Sequence, residues 1–390
     1  MDAVAHGGHC VARHQGRVVF VRHALPGERV RVSVTEGGRT STFWRADAVE
    51  VLRASPDRVV PPCPWSGPGR CGGCDWQHAD PAAQRTLKAA VVHEQLARLA
   101  GIERDVVVEE VPGAPDGLGW RTRVQYAVDD AGRAGLRPHR SHGVVPVDWC
   151  RIAHPVVVEA GVTGRRWSGH GSVEVIASST GDQMVLVDGR QADGGRAEAV
   201  EEVVGGRRFR VSGSGFWQVH PGAAEALLGA VLAGLDPQPG ERALDLYAGV
   251  GLFAAGLAER LGPSGRVTAV ESDARAVADA RHNLADLTTV RVLRGRVDHV
   301  LRRRGLGPAD MVVLDPPRSG AGRAVVDLLA AAGSRRICYV ACDPAALARD
   351  VGRFGRRGYR LTGLQAFDLF PMTHHVECVA LLEPSHGAPD

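Results

Sequence analysis

From residue 242 onward, short apolar runs rich in valine and leucine alternate with helical stretches rich in alanine and leucine. Few folds satisfy that alternation. Parallel strands need a crossover, the crossover is usually a helix, and the product is a doubly wound, mainly parallel α/β sheet. Strands are expected at 242–247, 266–270, 290–293, 311–314 and 336–341, with helices at 273–285 and 321–332 between them. Two last strands, 360–368 and 375–382, close the sheet. In an open sheet of this kind, ligands collect at the carboxyl ends of the strands. The residues at those ends decide the chemistry.

One such end is Cys342, at the tip of the turn between strand 336–341 and a helix opened by Asp343-Pro344. A helix N-terminus favours a thiolate, which gives Cys342 a reason to ionise. The plainer alternative is a buried structural cysteine, a common fate of free thiols. Gly249 and Gly251 occupy the first strand-to-helix turn, where they let a ligand approach the backbone. Glu271 ends the next strand, and a carboxylate about twenty residues on suits a ribose diol. The turn lacks the third glycine of the dinucleotide fingerprint. A nucleoside without pyrophosphate fits better, S-adenosylmethionine being the common one, with a degenerate NAD site as the alternative.

Asp315 ends the fourth strand as Asp315-Pro316-Pro317-Arg318, where two prolines stiffen the loop and hold the carboxylate at the mouth. Glu377 lies among Val376, Cys378 and Val379, and alternation puts Glu377 and Cys378 on opposite faces of their strand. Burial there raises a carboxyl pKa, which suits a general base near neutral pH. A paired structural glutamate is the alternative. His374 and His375 are secondary candidates.

The first half reads differently. Residues 1–54 carry short strands at 16–21, 28–35 and 43–52 between glycine turns, the spacing of a small antiparallel barrel. Cys63, Cys71 and Cys74 follow in a Gly- and Pro-rich loop, and Cys150 is the best fourth ligand. Thiolates on a loop suit zinc or iron–sulfur, and His78 or His154 keeps a Cys3His zinc site open. The N-terminus lacks signal-peptide regions and no apolar run reaches about 18 residues, so a cytoplasmic location without a membrane span is expected. That compartment disfavours the remaining alternative, disulfides. An amphipathic helix at 81–103, closed by Gly101, leads into strands at 106–111, 121–128, 144–147, 173–177, 184–187 and 207–211, read as a central, largely β region. Residues 213–232 pass from a loop into a helix with Pro221 in its first turn.

At 390 residues the chain exceeds one core. It divides into 1–54, 55–80, 81–212 and 213–390. The net charge is only +3, so the molecule is no polycation, yet Lys88 is the sole lysine among 47 basic residues. Arginine pairs with phosphate and stacks on bases better than lysine does. Arg13, Arg17, Arg22, Arg29, Arg121, Arg123 and Arg137 are candidate RNA contacts, with a solvated basic face as the plainer reading.

Residues 6–30, with "HGGHCVAR", "VVFV" and "LPGERV", resemble the TRAM domain, an OB-like barrel appended to RNA-modifying enzymes. The later motifs "FWQVHP", "DLYAGVGLF", "VVLDPPRSG", "YVACDPAALARD" and "DLFPMTHHVECVALL", in this order, resemble the RNA uracil-5 methyltransferases. Together the two resemblances cover essentially the whole chain. They imply a class I methyltransferase Rossmann-like sheet acting with S-adenosylmethionine on RNA. They imply Cys342 as nucleophile and Glu377 as base. Gln218, Tyr247, Glu271 and Asp315 would contact the methyl donor, with Asp315 also near the target base. Barrel and cysteine cluster together resemble the 23S ribosomal RNA branch, whose cluster is a [4Fe–4S] centre, so iron–sulfur is favoured over zinc at Cys63, Cys71, Cys74 and Cys150. The transfer-RNA branch usually lacks both.

Three departures stand out. The cysteine spacing is x7 where x5 is better known. Asp343 follows the nucleophile where asparagine is common. Arg296 stands where an acid or amide near the adenine is expected. The mechanism implied is thiolate addition to uracil C6, methylation of the activated C5, and removal of the C5 proton by Glu377. The competing readings are a transfer-RNA uracil-5 methyltransferase and a non-catalytic RNA-binding iron–sulfur protein. A cytosine-5 enzyme is disfavoured, because the loop at Asp315 holds no second cysteine. A monomer with no membrane partner is expected.

Overall fold

The computed structural model describes residues 1–38, 40–192, 198–304 and 308–385. The N-terminal sheet consists of β1 (Val4–Ala5), β2 (His9–His14), β3 (Arg17–Arg22), β4 (Arg29–Glu36) and β5 (Phe43–Arg53), in the order β1-β2-β3-β5-β4. After it come α1 (Pro81–Gln95) and the short strand β6 (Val108–Glu110). The central sheet holds β7 (Arg123–Val128), β8 (Ala134–Leu136), β9 (Val145–Pro146), β10 (Ser172–Ala177), β11 (Gln183–Val187) and β12 (Arg190–Gln191), with α2 (Pro155–Glu159) beside it. The hairpin β13 (Ala199–Val204) and β14 (Arg207–Ser212) leads to α3 (Ala223–Leu235). The alternating half is β15 (Arg242–Leu246), α4 (Leu252–Leu261), β16 (Arg266–Glu271), α5 (Ala274–Asn283), β17 (Val290–Arg294), α6 (Val297–Arg304), β18 (Met311–Leu314), α7 (Gly322–Ala332), β19 (Arg336–Ala341), α8 (Pro344–Gly355), β20 (Tyr359–Asp368) and β21 (Glu377–Pro384).

The large sheet has the order β17-β16-β15-β18-β19-β21-β20-β6. Its first five strands run parallel, and β21 is antiparallel to both of its neighbours. This is the doubly wound sheet that the alternation predicts. The order reverses between β15 and β18, which opens a crevice at their carboxyl ends. Both faces are covered by helices. On one, Leu227, Val231, Leu257 and Leu261 pack under Met311 and Val313. On the other, Val325, Leu329, Leu347 and Phe354 pack under Val312 and Tyr339.

Four details differ from the sequence reading, the first being that the N-terminal sheet is not wholly antiparallel, since β3 runs parallel to β5. Strand β6 was expected in the central region, but it forms the outer edge of the large sheet, parallel to β20. The reason is the helix before it: α1 packs on α8 and hands the chain to that edge. Pro221 stands before helix α3, whose cap is Gly222, because the His220 ring accepts the Gly222 N–H at 3.1 Å and keeps the chain turning. Helix α1 ends at Gln95 but continues as one wide turn over Leu96–Ala100, closed by Gly101 in the left-handed conformation (φ 69).

Lys88 of α1 is fully buried and donates to Asp368 Oδ1 at 2.5 Å and to the Phe370 carbonyl at 3.0 Å. Removing one partner of a buried pair typically costs about 3–5 kcal/mol. This pair fixes the segment between β20 and β21 against α1. Among the described residues, no helix is long and apolar enough to cross a membrane.

Candidate active site

A cleft of about 1380 Å³ opens at the carboxyl ends of β15, β16, β18 and β19. Gln218, Tyr247, Gly249, Glu271, Asp315, Cys342 and Glu377 all line it. The sequence therefore places seven of its candidates around one opening. Gly251 is the exception. It caps α4 at φ 94, and a Cβ there would stand 2.7 Å from Leu284 Cδ1. Its glycine serves the turn and the packing beneath it.

The turn after β15 is tightly built. Tyr247 takes a positive φ of 64, an uncommon state for a bulky residue and one that clusters at functional sites. Asp245, below it, accepts the Ala254 N–H at 2.8 Å, and burial pushes its carboxyl up to about 7. Glu271 accepts the Gly249 N–H at 3.0 Å on one oxygen, and the Ser272 and Asp273 N–H groups at 2.5 and 2.8 Å on the other. These bonds aim the carboxylate at the cleft. The oxygen that takes the Ser272 and Asp273 N–H groups also accepts the Ser272 hydroxyl at 3.2 Å, so the acceptor site that remains, enough for one ribose hydroxyl, is on the oxygen that takes the Gly249 N–H. Loss of charge-assisted bonds of about 1.5–3 kcal/mol corresponds to roughly 10- to 100-fold in affinity. Glu271→Ala is expected to raise the Kd for S-adenosylmethionine by about that factor, measurable by calorimetry. The acid expected at Arg296 stands two residues on. Asp298, in the first turn of α6, lines the cleft and holds the Arg296 guanidinium at 3.2 Å.

The reactive end lies across the sheet. β19 and β21 pair as far as Ala341 opposite Cys378, so the next residues on the two strands are Cys342 and Glu377. Glu377 is 4 % exposed and Cys378 sits in the core on the other face. Burial, then the neighbouring Asp315, push Glu377 well above the ordinary carboxyl range, against the opposing pull of Arg318. Burial also lifts Asp315 to about 7. At Cys342, burial and the neighbouring acids outweigh the pull of the helix N-terminus. Burial and Glu377 push its thiol up to about 11, with Arg318 pulling the other way. The helix dipole gives little help, because Asp343 caps α8 by accepting the Ala346 N–H at 2.7 Å and puts its own carboxylate there.

Two residues of the cleft, Arg318 and Phe216, are not singled out by the sequence, and His375 is only a secondary candidate there. Arg318 and His375 face the nucleophile's end, with the His375 ring 3.5 Å from the guanidinium and held neutral by burial (its pKa falls to about 3). Phe216 is 70 % exposed at the opening. An exposed ring beside Gln218 could have been noticed in the motif around it. Among the candidate arginines, Arg121 lines the cleft, whereas Arg123 is buried and donates to the Gly215 carbonyl beneath the loop that carries Phe216. Arg17 lies 4.4 Å above the Trp44 ring, and Arg22 faces Asp75 at 3.6 Å.

Cys63, Cys71, Cys74 and Cys150 line a second, smaller cavity of about 270 Å³, with Arg121 and Gly73 shared between it and the cleft. Among the described residues, no histidine or carboxylate lines it. His154 instead caps α2, accepting the Val156 N–H at 3.4 Å. The Gly73 N–H and the Gln77 amide approach the Cys71 and Cys74 sulfurs at 3.4 Å each. Among the described residues, no group of three or more His, Cys, Asp or Glu is drawn close enough to hold one metal ion. The donor set is soft and all-sulfur, which fits zinc or an iron–sulfur centre.

Comparison with known proteins agrees with this geometry. Residues 308–385 match the family model of the tRNA (uracil-5-)-methyltransferases, residues 2–48 that of the TRAM domain, and residues 223–335 that of the methyltransferase small domain. An uncharacterized RNA methyltransferase of Streptomyces avermitilis is 54 % identical over 98 % of this chain and 96 % of its own. The 23S rRNA (uracil(1939)-C(5))-methyltransferase RlmD of Alkalilimnicola ehrlichii is 34 % identical over 98 % and 95 %. The crystal structure of Pyrococcus abyssi tRNA (uracil-54, C5)-methyltransferase with S-adenosyl-L-homocysteine superposes with a TM-score of 0.72, covering 98 % of this chain and 99 % of that one at 23 % identity.

Proposed function

The chain belongs to the RNA uracil-5 methyltransferases, class I enzymes that use S-adenosylmethionine, and from that premise we propose that it methylates C5 of uridine in 23S ribosomal RNA through a transient bond from Cys342 to C6. One observation carries the reading: Cys342 and Glu377 end paired strands side by side, with Asp315 in the same cleft.

The chemistry follows from the base. Uracil C5 is too weak a nucleophile to take a methyl group unaided. Addition of the Cys342 thiolate to C6 moves an electron pair toward C5 and O4, and C5 becomes enolate-like. S-adenosylmethionine, when bound, supplies the electrophilic methyl group and a positive sulfonium. Gln218, Tyr247, Gly249, Glu271 and Asp298 would hold it on the β15–β17 side. A cation beside the acids of the cleft favours the ionised forms of Cys342, Asp315 and Glu377. Glu377 then takes the C5 proton, and the electron pair of that bond expels the thiolate. Asp315, titrating near neutrality, orients the base through a hydrogen bond. The uridine must leave its stack to reach Cys342, and the exposed ring of Phe216 offers it a stacking surface.

The four thiols of the smaller cavity are read as ligands of a [4Fe–4S] cluster, with zinc as the alternative. The all-sulfur lining, a volume beyond the needs of one ion and the N–H donors on two sulfurs support the cluster. No step of methyl transfer passes through it. A cytoplasmic monomer belongs to the same reading.

Ribosomal RNA is favoured over transfer RNA by the full-length similarity to RlmD and by the joint presence of barrel and cysteine loop. Nucleoside mass spectrometry on RNA from cells with and without this gene tests the substrate. Loss of 5-methyluridine from 23S RNA alone is expected. Loss from transfer RNA alone would keep the chemistry and replace the substrate.

A further inference from the structure

Asp343 departs from the asparagine common after the nucleophile, and its partner comes from the far end of the chain. His6 Nε2, in the turn between β1 and β2 of the barrel, stands 3.2 Å from Asp343 Oδ2. The other oxygen of Asp343 caps α8. Two residues along the same turn, Gly8 (φ +78) is pressed against the opposite wall: a Cβ there would come within 2.7 Å of His374 Cβ and 3.4 Å of Asp75 Cβ. The Gly8 carbonyl accepts the Trp76 indole N–H at 3.1 Å. Asp75 in turn holds His374, its Oδ2 lying 2.6 Å from the His374 Nδ1, and the Asp75 and Trp76 N–H groups both donate to the Met372 carbonyl at 3.0 Å. A single turn of the barrel thus touches the residue after Cys342 on one side and the segment that delivers Glu377 on the other.

We propose that the His6-Gly7-Gly8 turn is a positioning element of the catalytic site, a clamp that fixes the Cys342 turn relative to the Glu377 segment. The proposal rests on the roles assigned above to Cys342 and Glu377. It gives the barrel a task beyond holding RNA. Two strand ends brought together only by the sheet could splay as the base enters. The clamp ties each of them to one rigid turn, through the His6–Asp343 contact on the first and a glycine-sized contact on the second. Small displacements of reacting groups are costly, with roughly 100-fold lost for about 1 Å.

The barrel supplies its own control. Gly16, in the neighbouring β2–β3 turn, has the same φ of +78, and a Cβ there would meet nothing within 4 Å. Gly8→Ala and Gly16→Ala carry the same backbone strain in the same barrel, and only the first pushes on His374. Methyl transfer into total RNA from cells lacking the gene is measured for the full-length chain. Gly8→Ala is expected to lower kcat about tenfold with the apparent KM for RNA within about twofold, while Gly16→Ala matches the parent. His6→Ala is expected to lower kcat about threefold, and His6→Gln, which keeps a hydrogen-bond donor for Asp343, to restore most of it. Thermal melting of each variant keeps unfolding apart from misplacement. If Gly8→Ala and His6→Ala change only KM, or if Gly16→Ala loses as much kcat as Gly8→Ala, the clamp is overturned. Turnover surviving in Cys342→Ala would instead overturn the catalytic reading itself, so the two failures are distinguishable.

Discussion

Replacing Cys342 with alanine is expected to abolish methyl transfer, by a factor on the order of 10⁴ or more, while RNA and S-adenosylmethionine still bind. The size of the effect follows from where the thiol stands. It is partly exposed in the cleft and faces Glu377 and Asp315, and among the described residues no other sulfur lines that cleft. Cys338 and Cys378, the sulfurs nearest along the strands, are fully buried in the core and cannot substitute. Without addition to C6 the uracil ring has no electron pair to direct to C5. Filter binding of radiolabelled RNA and calorimetry with the methyl donor serve as the binding measurements. Retained turnover would remove covalent catalysis, and lost binding would mean that Cys342 holds the site's shape.

The same substitution exposes the limits of reading a pKa from sequence. The strand-to-helix turn at 341–344 was legible, because an apolar run stops at Asp343-Pro344 and an alanine-rich helix begins. The ionisation of the thiol was not. It depends on Glu377 and Asp315, which come from other strands, and on Asp343 occupying the helix N–H groups. Similar reasoning explains the other misses. Arg296 departs from the acid or amide expected there, and the acid that lines the cleft is Asp298 in the first turn of α6, a helix that its sequence, Val297-Asp298-His299-Val300-Leu301-Arg302-Arg303-Arg304, shows too few apolar residues to announce. Gly251 looks in the sequence like a place for ligand approach, whereas its neighbour is Leu284, which only the fold brings beside it. Strand β6 belongs to the large sheet because α1 packs on α8, a tertiary choice that no local pattern encodes. Period and strand-end residues reveal where a doubly wound sheet does chemistry. Partners between distant segments, such as Arg123 with Gly215 or His6 with Asp343, are set by the fold and not by any local pattern.

Glu377→Gln is the second large effect, and it differs in kind from the first. Turnover is expected to fall about 10²- to 10⁴-fold, the usual contribution of a general base, yet a covalent enzyme–RNA complex should accumulate. The pKa shifts give the direction. In the parent, Glu377 stands among the groups that raise the Cys342 thiol, after burial itself. Removing its charge lowers that pKa, so the thiolate forms at lower pH and addition to C6 becomes easier. Proton removal from C5 fails, because an amide cannot take the proton, and the thiolate is not expelled. The methylated adduct persists. Denaturing gel electrophoresis with labelled RNA would show a shifted, RNase-sensitive band in this variant and none in Cys342→Ala/Glu377→Gln. The parent's rate should rise with pH, since both Cys342 and Glu377 act without their protons and both sit above their ordinary values. In Glu377→Gln the adduct should form over a range extending to lower pH than parental turnover does. A variant that stays inactive without forming adduct would assign Glu377 to an earlier step, in which it helps to deprotonate the thiol.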